Sequence, residues 1–226
     1  MEKLEKRQNP LAAENTGRLL WKFAVPSIVA MLVSSLYNIV DQFFIGRSVG
    51  ELGNAATNIS FPLTISCVAA ALLFGIGGAS AFNISMGRSE KEPLEKELAV
   101  HYMGNAMTLL FVCGVVLCLL TQLFLEPMLR FFGSPEDVLS YARTYTRIVS
   151  FGFPFFIFAT GGGHLIRADG RPKFTMLCNL SGAVINTVLD ALFVFGFEWG
   201  MAGAAFATVI GQSVSGGMAA YMLSPC

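Results

Sequence analysis

The strongest constraint on the fold of this chain is a series of six long apolar segments separated by short polar ones. Each segment is close to or longer than the ~20 residues that an α-helix needs to cross a bilayer. Their continuous apolar character lacks the ~10-residue alternation of membrane β-strands. The sequence therefore predicts an all-α, polytopic membrane protein with six transmembrane helices. These predicted spans, numbered one to six, cover residues 19–46, 55–86, 98–124, 148–166, 174–197 and 201–223.

Composition supports lipid as the solvent of this chain. Of its 226 residues, 54% are hydrophobic and only 13% are charged, whereas roughly 25% charged residues are usual in soluble domains. We expect an amino-terminal tail at residues 1–18 and one six-helix transmembrane lobe at residues 19–224. The charged first residues are not followed by a short apolar core with a cleavage site, so a removable signal peptide is not predicted.

The basic residues predict the orientation of the spans. Eleven of the fifteen lie before or at the start of span one or in the segments after spans two and four, and four lie on the opposite side. Because basic residues concentrate in cytoplasmic segments, the amino terminus is expected in the cytoplasm. An even number of spans returns the carboxyl terminus to the same side. This arrangement predicts a multi-pass protein of the inner cell membrane with membrane lipid around it.

Several classes of function find no support in the sequence. Charges form no basic face with interleaved aromatic residues, which argues against nucleic-acid binding. The five cysteines have no CxxC spacing, and His101 and His164 are isolated from other metal-binding residues. The HExxH, GxSxG and P-loop patterns of enzymes do not occur. We therefore expect neither an enzyme nor a cofactor.

Two embedded aspartates are the main functional signal. Thirteen of the fifteen acidic residues lie in tails, loops or span ends, and only Asp41 and Asp190 fall inside apolar spans. A charged aspartate near the centre of a membrane helix costs ~3 kcal/mol and usually marks an ion or substrate path. No lysine or arginine lies deep in a predicted span to neutralise them. Counting ~1.5 Å per residue places both aspartates in the outer half of the bilayer.

Neighbouring polar side chains extend this signal. Asn186 lies one turn before Asp190, Thr208 reaches a similar depth on span six, and Tyr37 and Asn38 lie about one turn before Asp41. Their oxygens suit a hard cation such as sodium, or they can hydrogen-bond a protonated acid. Interhelical hydrogen bonds with a purely structural role are the alternative. We predict a sodium- or proton-coupling site, with two weaker lining or substrate-contacting residues. The coupling residues are Asp41, Asn186, Asp190 and Thr208, and the weaker ones are Tyr37 and Asn38.

Longer motifs give the chain a family resemblance. The segment VPSIVAMLVSSLYNIVDQFFIGRSVG resembles the first helix of multidrug and toxic compound extrusion (MATE) transporters. The RADGRPK loop, the NxxxD helix and the following GxxGAAxAT pattern resemble the fourth to sixth helices of that family. The resemblance implies two six-helix lobes, of which this chain contains the amino-terminal one. It also implies that Asp41, Asn186, Asp190 and Thr208 match the family's cation or proton site, with Tyr37 nearby.

The function implied by the resemblance is secondary active transport. A MATE-type protein exports drugs or lipophilic organic cations while sodium ions or protons enter. The implied partners are a small-molecule substrate and a second lobe, for which a second copy of this chain could stand in. Two alternatives remain open: a lipid or polysaccharide flippase of the wider superfamily, and an inactive truncated fragment. Embedded basic residues would favour the flippase, because its substrates carry phosphate.

Overall fold

A computed structural model of the protein describes residues 16–89, 92 and 94–224. The described residues form helices and no β-strand, which confirms the predicted all-α class. Most of the predicted tail, residues 1–15, lies outside the described part, and so does Lys91. The α-helices are α1 (Thr16–Ser48), α2 (Glu51–Arg88), α3 (Leu94–Leu123), α4 (Leu125–Phe131), α5 (Glu136–Val149), α6 (Phe153–Ala168), α7 (Pro172–Asp190) and α8 (Gly200–Leu223). A 3-10 helix (Ser150–Gly152) joins α5 to α6, and a π-helix (Ala191–Gly196) continues α7.

The predicted spans differ most from the structure at span four. It was predicted to begin at residue 148, but α5, the 3-10 helix and α6 form one helical segment, Glu136–Ala168. The prediction missed α5 because this helix is amphipathic: Val138 and Ala142 are buried, while Arg143 is exposed. The short 3-10 turn precedes Pro154, whose ring removes an N–H from the α-helical ladder.

Within the described part of the chain, five helical segments are long and apolar enough to cross a membrane: Leu20–Ser48, Glu51–Arg88, Leu94–Leu123, Glu136–Ala168 and Pro172–Gly196. The sixth predicted span corresponds to α8, which has 24 residues and carries no charge. Glycines, serines and Gln212 lower the mean hydropathy of α8 below that of the other five. A helix of this composition suits the interior of a bundle, where small residues allow neighbouring backbones to approach.

Helix α6 lies at the centre of the bundle and packs against α2, α3 and α8, while α1 packs mainly on α7. The contact between α2 and α6 is a backbone contact, because a Cβ on Gly75 would lie only 2.6 Å from Gly161 Cα. The larger apolar core fills the space among α2, α3, α6 and α8. A smaller core joins the carboxyl-terminal end of α1 to α4, α5 and the start of α8, through residues such as Ile45 and Met201.

The outer surface of the bundle is apolar. Large side chains such as Leu73 and Leu123 are 68% and 74% exposed, as expected for helices solvated by lipid. Of the five long apolar segments, the one in α1 is the least covered: only 11% of its most apolar window is buried, against 61% for Glu136–Ala168. One side of α1 therefore has no protein neighbour among the described residues of this chain.

Candidate functional site

The structure brings the two embedded aspartates together. Asp41 near the end of α1 and Asp190 at the end of α7 are 5% and 0% exposed. Their carboxyl groups lie within hydrogen-bonding reach of each other. This contact is a hydrogen bond only when one group carries a proton, since two ionised carboxylates offer acceptors alone. The two helices run in the same direction, so the aspartates meet at the same end of the bundle.

The carboxyl pair lacks partners that would balance it. Asp41 Oδ1 and both carboxyl oxygens of Asp190 are buried and accept no well-aligned hydrogen bond from the described residues. The ion pairs in the described part of the chain lie elsewhere, among Glu126, Arg130, Glu136 and Arg143 and between Asp169 and Arg171. Two buried negative charges side by side are strongly unfavourable. The geometry therefore requires a proton or a cation between the two groups.

Asn186 lies next to this pair, one turn before Asp190 on α7. It is 2% exposed, and neither atom of its amide group has a well-aligned hydrogen-bond partner among the described residues. Its position depends on the close approach of α8, because a Cβ on Gly211 would lie 2.9 Å from Asn186 Cβ and 2.8 Å from Gly182 O. The amide group therefore lies beside the Asp190 carboxyl with a donor and an acceptor available to a ligand.

Thr208 on α8 and two tyrosines complete the polar group. Thr208 Oγ1 donates to Ala204 O at 3.0 Å, which leaves its lone pairs for other donors. The phenol groups of Tyr37 on α1 and Tyr145 on α5 both approach this hydroxyl. Oxygen atoms from α1, α5, α7 and α8 therefore surround one buried position. Among the described residues no three His, Cys, Asp or Glu side chains lie close enough together to hold a metal ion. A cation here would therefore need amide and hydroxyl oxygens beside the two carboxyls.

Tyr145 was not predicted from the sequence. It lies close to both aspartates and to Tyr37, but it precedes residue 148, where span four was predicted to begin. The signal that identifies it is the apolar spacing of α5, in which Val138, Ala142 and Val149 share its face of the helix. Recognising α5 as amphipathic would have placed a tyrosine on the buried side of span four.

The structure places Asn38 away from the two carboxyl groups. Its side chain is exposed, and its amide donates to Ser34 O of the same helix at 2.7 Å. Asn38 and Tyr37 flank Asp41 on opposite sides of α1, and α7 packs on the side of Tyr37. Asn38 is therefore not part of the polar group around the aspartates.

A cavity of about 480 Å³ leads away from the carboxyl pair. Side chains of α1, α2, α6, α7 and α8 line it. Tyr37, Asn186 and Thr208 belong both to this lining and to the polar group, so they separate the cavity from the aspartates. Its far end contains His164 and Arg167. Arg167 lies just beyond predicted span four, but α6 continues to Ala168, so a basic side chain does line the interior, contrary to expectation.

Two contacts fix α1 beside the carboxyl pair. The rings of Phe44 on α1 and Phe195 in the π-helix lie 5.4 Å apart, centre to centre. Gln42 exchanges hydrogen bonds with Thr57 on α2, at 3.0 and 3.1 Å. Both contacts lie within three residues of Asp41. They anchor this aspartate to both neighbouring helices.

Comparison with known proteins gives consistent matches over most of the chain. Residues 26–192 match the model of the MatE family. "Probable multidrug resistance protein YoeA" of Bacillus subtilis (strain 168) is 29% identical over 216 residues, which are 92% of this chain and 46% of that protein. "Multidrug export protein MepA" of Staphylococcus saprophyticus is 25% identical over 85% of this chain and 42% of that protein. A solved structure of the MATE multidrug transporter DinF-BH superposes with a TM-score of 0.84 and 34% identity, over 99% of this chain and 49% of that one. The chain thus spans about half the length of the relatives it matches.

Proposed function

Because this chain belongs to the MatE family, we propose that it forms the amino-terminal lobe of an antiporter in which sodium ions or protons drive the export of drugs or lipophilic organic cations. Relatives named as multidrug export proteins support this assignment. The protein would lie in the inner membrane with both termini in the cytoplasm. The coupling ion would bind between Asp41 and Asp190.

The observation that carries the proposal is the buried, unbalanced carboxyl pair. Without a proton or cation its two negative charges repel each other in a site from which water is excluded. Opening the site to water would lower this penalty and release the bound ion. A membrane potential supplies ~2.3 kcal/mol per elementary charge per 100 mV, and a change of that size in the free energy of ion binding is sufficient to couple ion entry to a conformational change.

The cavity supplies a place for the substrate. Its volume of about 480 Å³ lies within the ~300–1,000 Å³ of pockets for drug-sized ligands. Apolar residues such as Met31, Leu72 and Phe156 share its walls with polar ones. Because Tyr37, Asn186 and Thr208 border both the cavity and the aspartates, movement of these side chains would link substrate release to ion binding.

The exposed side of α1 suggests where a second lobe would pack. The apolar residues there, such as Leu36 at 60% exposure, are not covered by the described part of this chain. We propose that a second six-helix lobe, or a second copy of this chain, faces the bundle on that side. Asn38 points outward from α1 and would then contact the substrate path between the lobes.

The proposal is tested by replacing Asp190 with Asn, which keeps the shape of the side chain but removes its charge. In everted membrane vesicles or drug-sensitive cells producing the protein, Asp190→Asn should abolish ion-driven dye efflux while membrane insertion stays normal. Asp169→Asn is the matched control, since this aspartate pairs with Arg171 in the turn before α7. Unchanged dye efflux in Asp190→Asn would remove the carboxyl pair from the mechanism.

A further inference from the structure

The cavity is electrically asymmetric along its length. One end is bordered by Tyr37, Asn186 and Thr208 beside the two aspartates, and the other contains Arg167 and His164. Arg167 lies in the last turn of α6, and only a short turn separates it from the start of α7, whereas Asp190 ends that 19-residue helix. At 1.5 Å per residue the two charged ends are roughly 27 Å apart along α7. A ligand in the cavity therefore meets acidic and basic groups at different ends.

The guanidinium group of Arg167 points back along α6 into the bundle. A Cβ on Gly163, one turn earlier, would lie 3.9 Å from Arg167 Nη1. Long basic side chains near the end of a membrane helix usually extend outward to water. Here the missing side chain at Gly163 leaves room for the guanidinium, and Arg167 is half-buried as a result.

Within residues 16–89 and 94–224, no carboxylate neutralises this group. Arg167 forms no ion pair there, and the nearest acid in sequence, Asp169, pairs with Arg171 at 3.1 Å. Its guanidinium also donates no hydrogen bond to another side chain or carbonyl in this part of the chain. The guanidinium is therefore available to an anionic group of a ligand that enters the cavity.

Further hydrogen-bond donors lie close to Arg167 in the cavity wall. His164 lies one turn before it on α6, and Asn179 faces the same cavity from α7. Thr175, between them, already uses its hydroxyl on Gly163 O at 3.2 Å. A planar guanidinium beside imidazole and amide donors is the arrangement that recognises carboxylate and phosphate oxygens.

We infer that the cavity binds amphiphilic molecules bearing a carboxylate or phosphate, with this oxyanion on Arg167 and His164 and the apolar part extending toward Tyr37. This inference rests on the proposal that the cavity is the substrate site, and it widens the ligand class beyond lipophilic cations. The volume of about 480 Å³ admits a drug-sized molecule.

The test is equilibrium binding to the purified chain in nanodiscs of zwitterionic lipid, measured by calorimetry. The probes are decanoate, decyl phosphate and decyltrimethylammonium, which share one chain length, and inorganic phosphate. Wild type should bind both decyl anions, and Arg167→Gln should weaken that binding about tenfold, equivalent to about 1.4 kcal/mol. Arg167→Lys should retain part of the affinity. The matched control is Arg88→Gln, which removes an exposed arginine at the end of α2, outside the cavity lining, and should bind like wild type.

The cationic probe separates a lost oxyanion site from a misfolded chain. Retained binding of decyltrimethylammonium by Arg167→Gln shows that the variant is folded, so that a selective loss of anion binding supports the oxyanion site. Weaker binding of decyl phosphate when the nanodisc around the chain contains phosphatidylglycerol would identify a lipid headgroup as the source of the oxyanion. Equal anion affinity in wild type and Arg167→Gln would overturn the inference. Ion coupling is read out by dye efflux in Asp190→Asn and the oxyanion site by anion binding in Arg167→Gln, so failure of one and failure of the other are distinguished.

Discussion

At the scale of residues, the central feature is that buried oxygen atoms from four helices converge at one place. The described residues offer too few hydrogen-bond donors to pair with them. Asp41, Asn186 and Asp190 contribute buried polar atoms that no described residue satisfies. Native structures rarely leave such atoms unpaired, and sites that do so commonly bind an ion, a proton or water. Tyr37 and Tyr145 approach from the side of Thr208 and are the nearest hydroxyl donors. They would hydrogen-bond the charged form of the pair when its ion leaves.

Replacing Tyr145 with Phe removes one of these donors and leaves the ring in place. A hydrogen bond of this kind contributes about 0.5–1.5 kcal/mol. We therefore expect Tyr145→Phe to change the sodium or proton concentration of half-maximal response by about two- to twelvefold. The measurement is the thermal stability of the purified protein titrated with sodium chloride against choline chloride, at several pH values. Tyr141→Phe, a tyrosine that packs on the smaller core, should respond like wild type. Equal effects of the two substitutions would show that Tyr145 has no special role.

Most of this residue set was predictable, because charge inside an apolar helix is visible in the sequence. Asp41, Asn186, Asp190 and Thr208 are placed together by the structure, although their role in coupling stays a prediction. The sequence does not show on which side of α1 the next helix packs, and for this reason Tyr37 and Asn38 looked equivalent. It also concealed Tyr145, because the exposed arginines of α5 interrupt its apolar pattern.

At the scale of elements, the π-helix after Asp190 positions the carboxyl pair. Its wide turn is closed by the bond from Phe197 N to Leu192 O at 3.0 Å. Such turns alter the direction of the side chains that follow and often occur at functional sites. Here the turn brings Phe195 against Phe44, and Phe44 lies three residues after Asp41 on α1. Asp190 is thereby fixed relative to α1.

Truncation of Phe44 tests this positioning. Phe44→Ala removes the ring contact between α1 and the π-helix, and aromatic pairs of this kind contribute about 0.5–1.5 kcal/mol beyond the apolar area they bury. We expect lower stability in detergent and a weaker sodium or pH response. Phe61→Ala is the matched control, since Phe61 is a phenylalanine of α2 that is 57% exposed. An ion response in Phe44→Ala as strong as in wild type would show that the contact does not position the site.

The helices themselves were easier to predict than their interruptions. Long apolar runs must be helical in lipid because no water is present to satisfy the backbone. The 3-10 turn before Pro154 and the π-helix after Asp190 depend on which side chains pack around them. Neither leaves a periodic signal, so predicted spans four and five appeared as simple helices.

At the scale of the whole molecule, the bundle has one well-packed side and one uncovered side. The central α6 is surrounded, whereas α1 exposes apolar residues along its length. The chain also spans about half the length of its relatives. Both observations agree with the proposed second lobe, which would face this one across α1 and add a second set of walls to the cavity.

The proposed orientation can be tested with single cysteines. Asp137 near the start of α5 and Lys173 near the start of α7 are both exposed or half-exposed and lie at opposite ends of the bundle. In intact cells, Asp137→Cys should react with a membrane-impermeant maleimide, and Lys173→Cys should react only after the membrane is opened. Labelling of the unsubstituted protein gives the background from its own cysteines. The reverse pattern would place both termini outside the cytoplasm.

The most direct test of the account is infrared difference spectroscopy of the carboxyl groups in sodium-free buffer, with wild type, Asp41→Asn and Asp190→Asn. If the two aspartates share one proton or cation, each substitution changes the band and the pH dependence of the remaining aspartate, and added sodium alters the wild-type band alone. The wild-type signal is then not the sum of those of the two variants. A wild-type spectrum equal to that sum, with both parts unaffected by sodium, would show that the carboxyls act independently and would contradict the proposed coupling site.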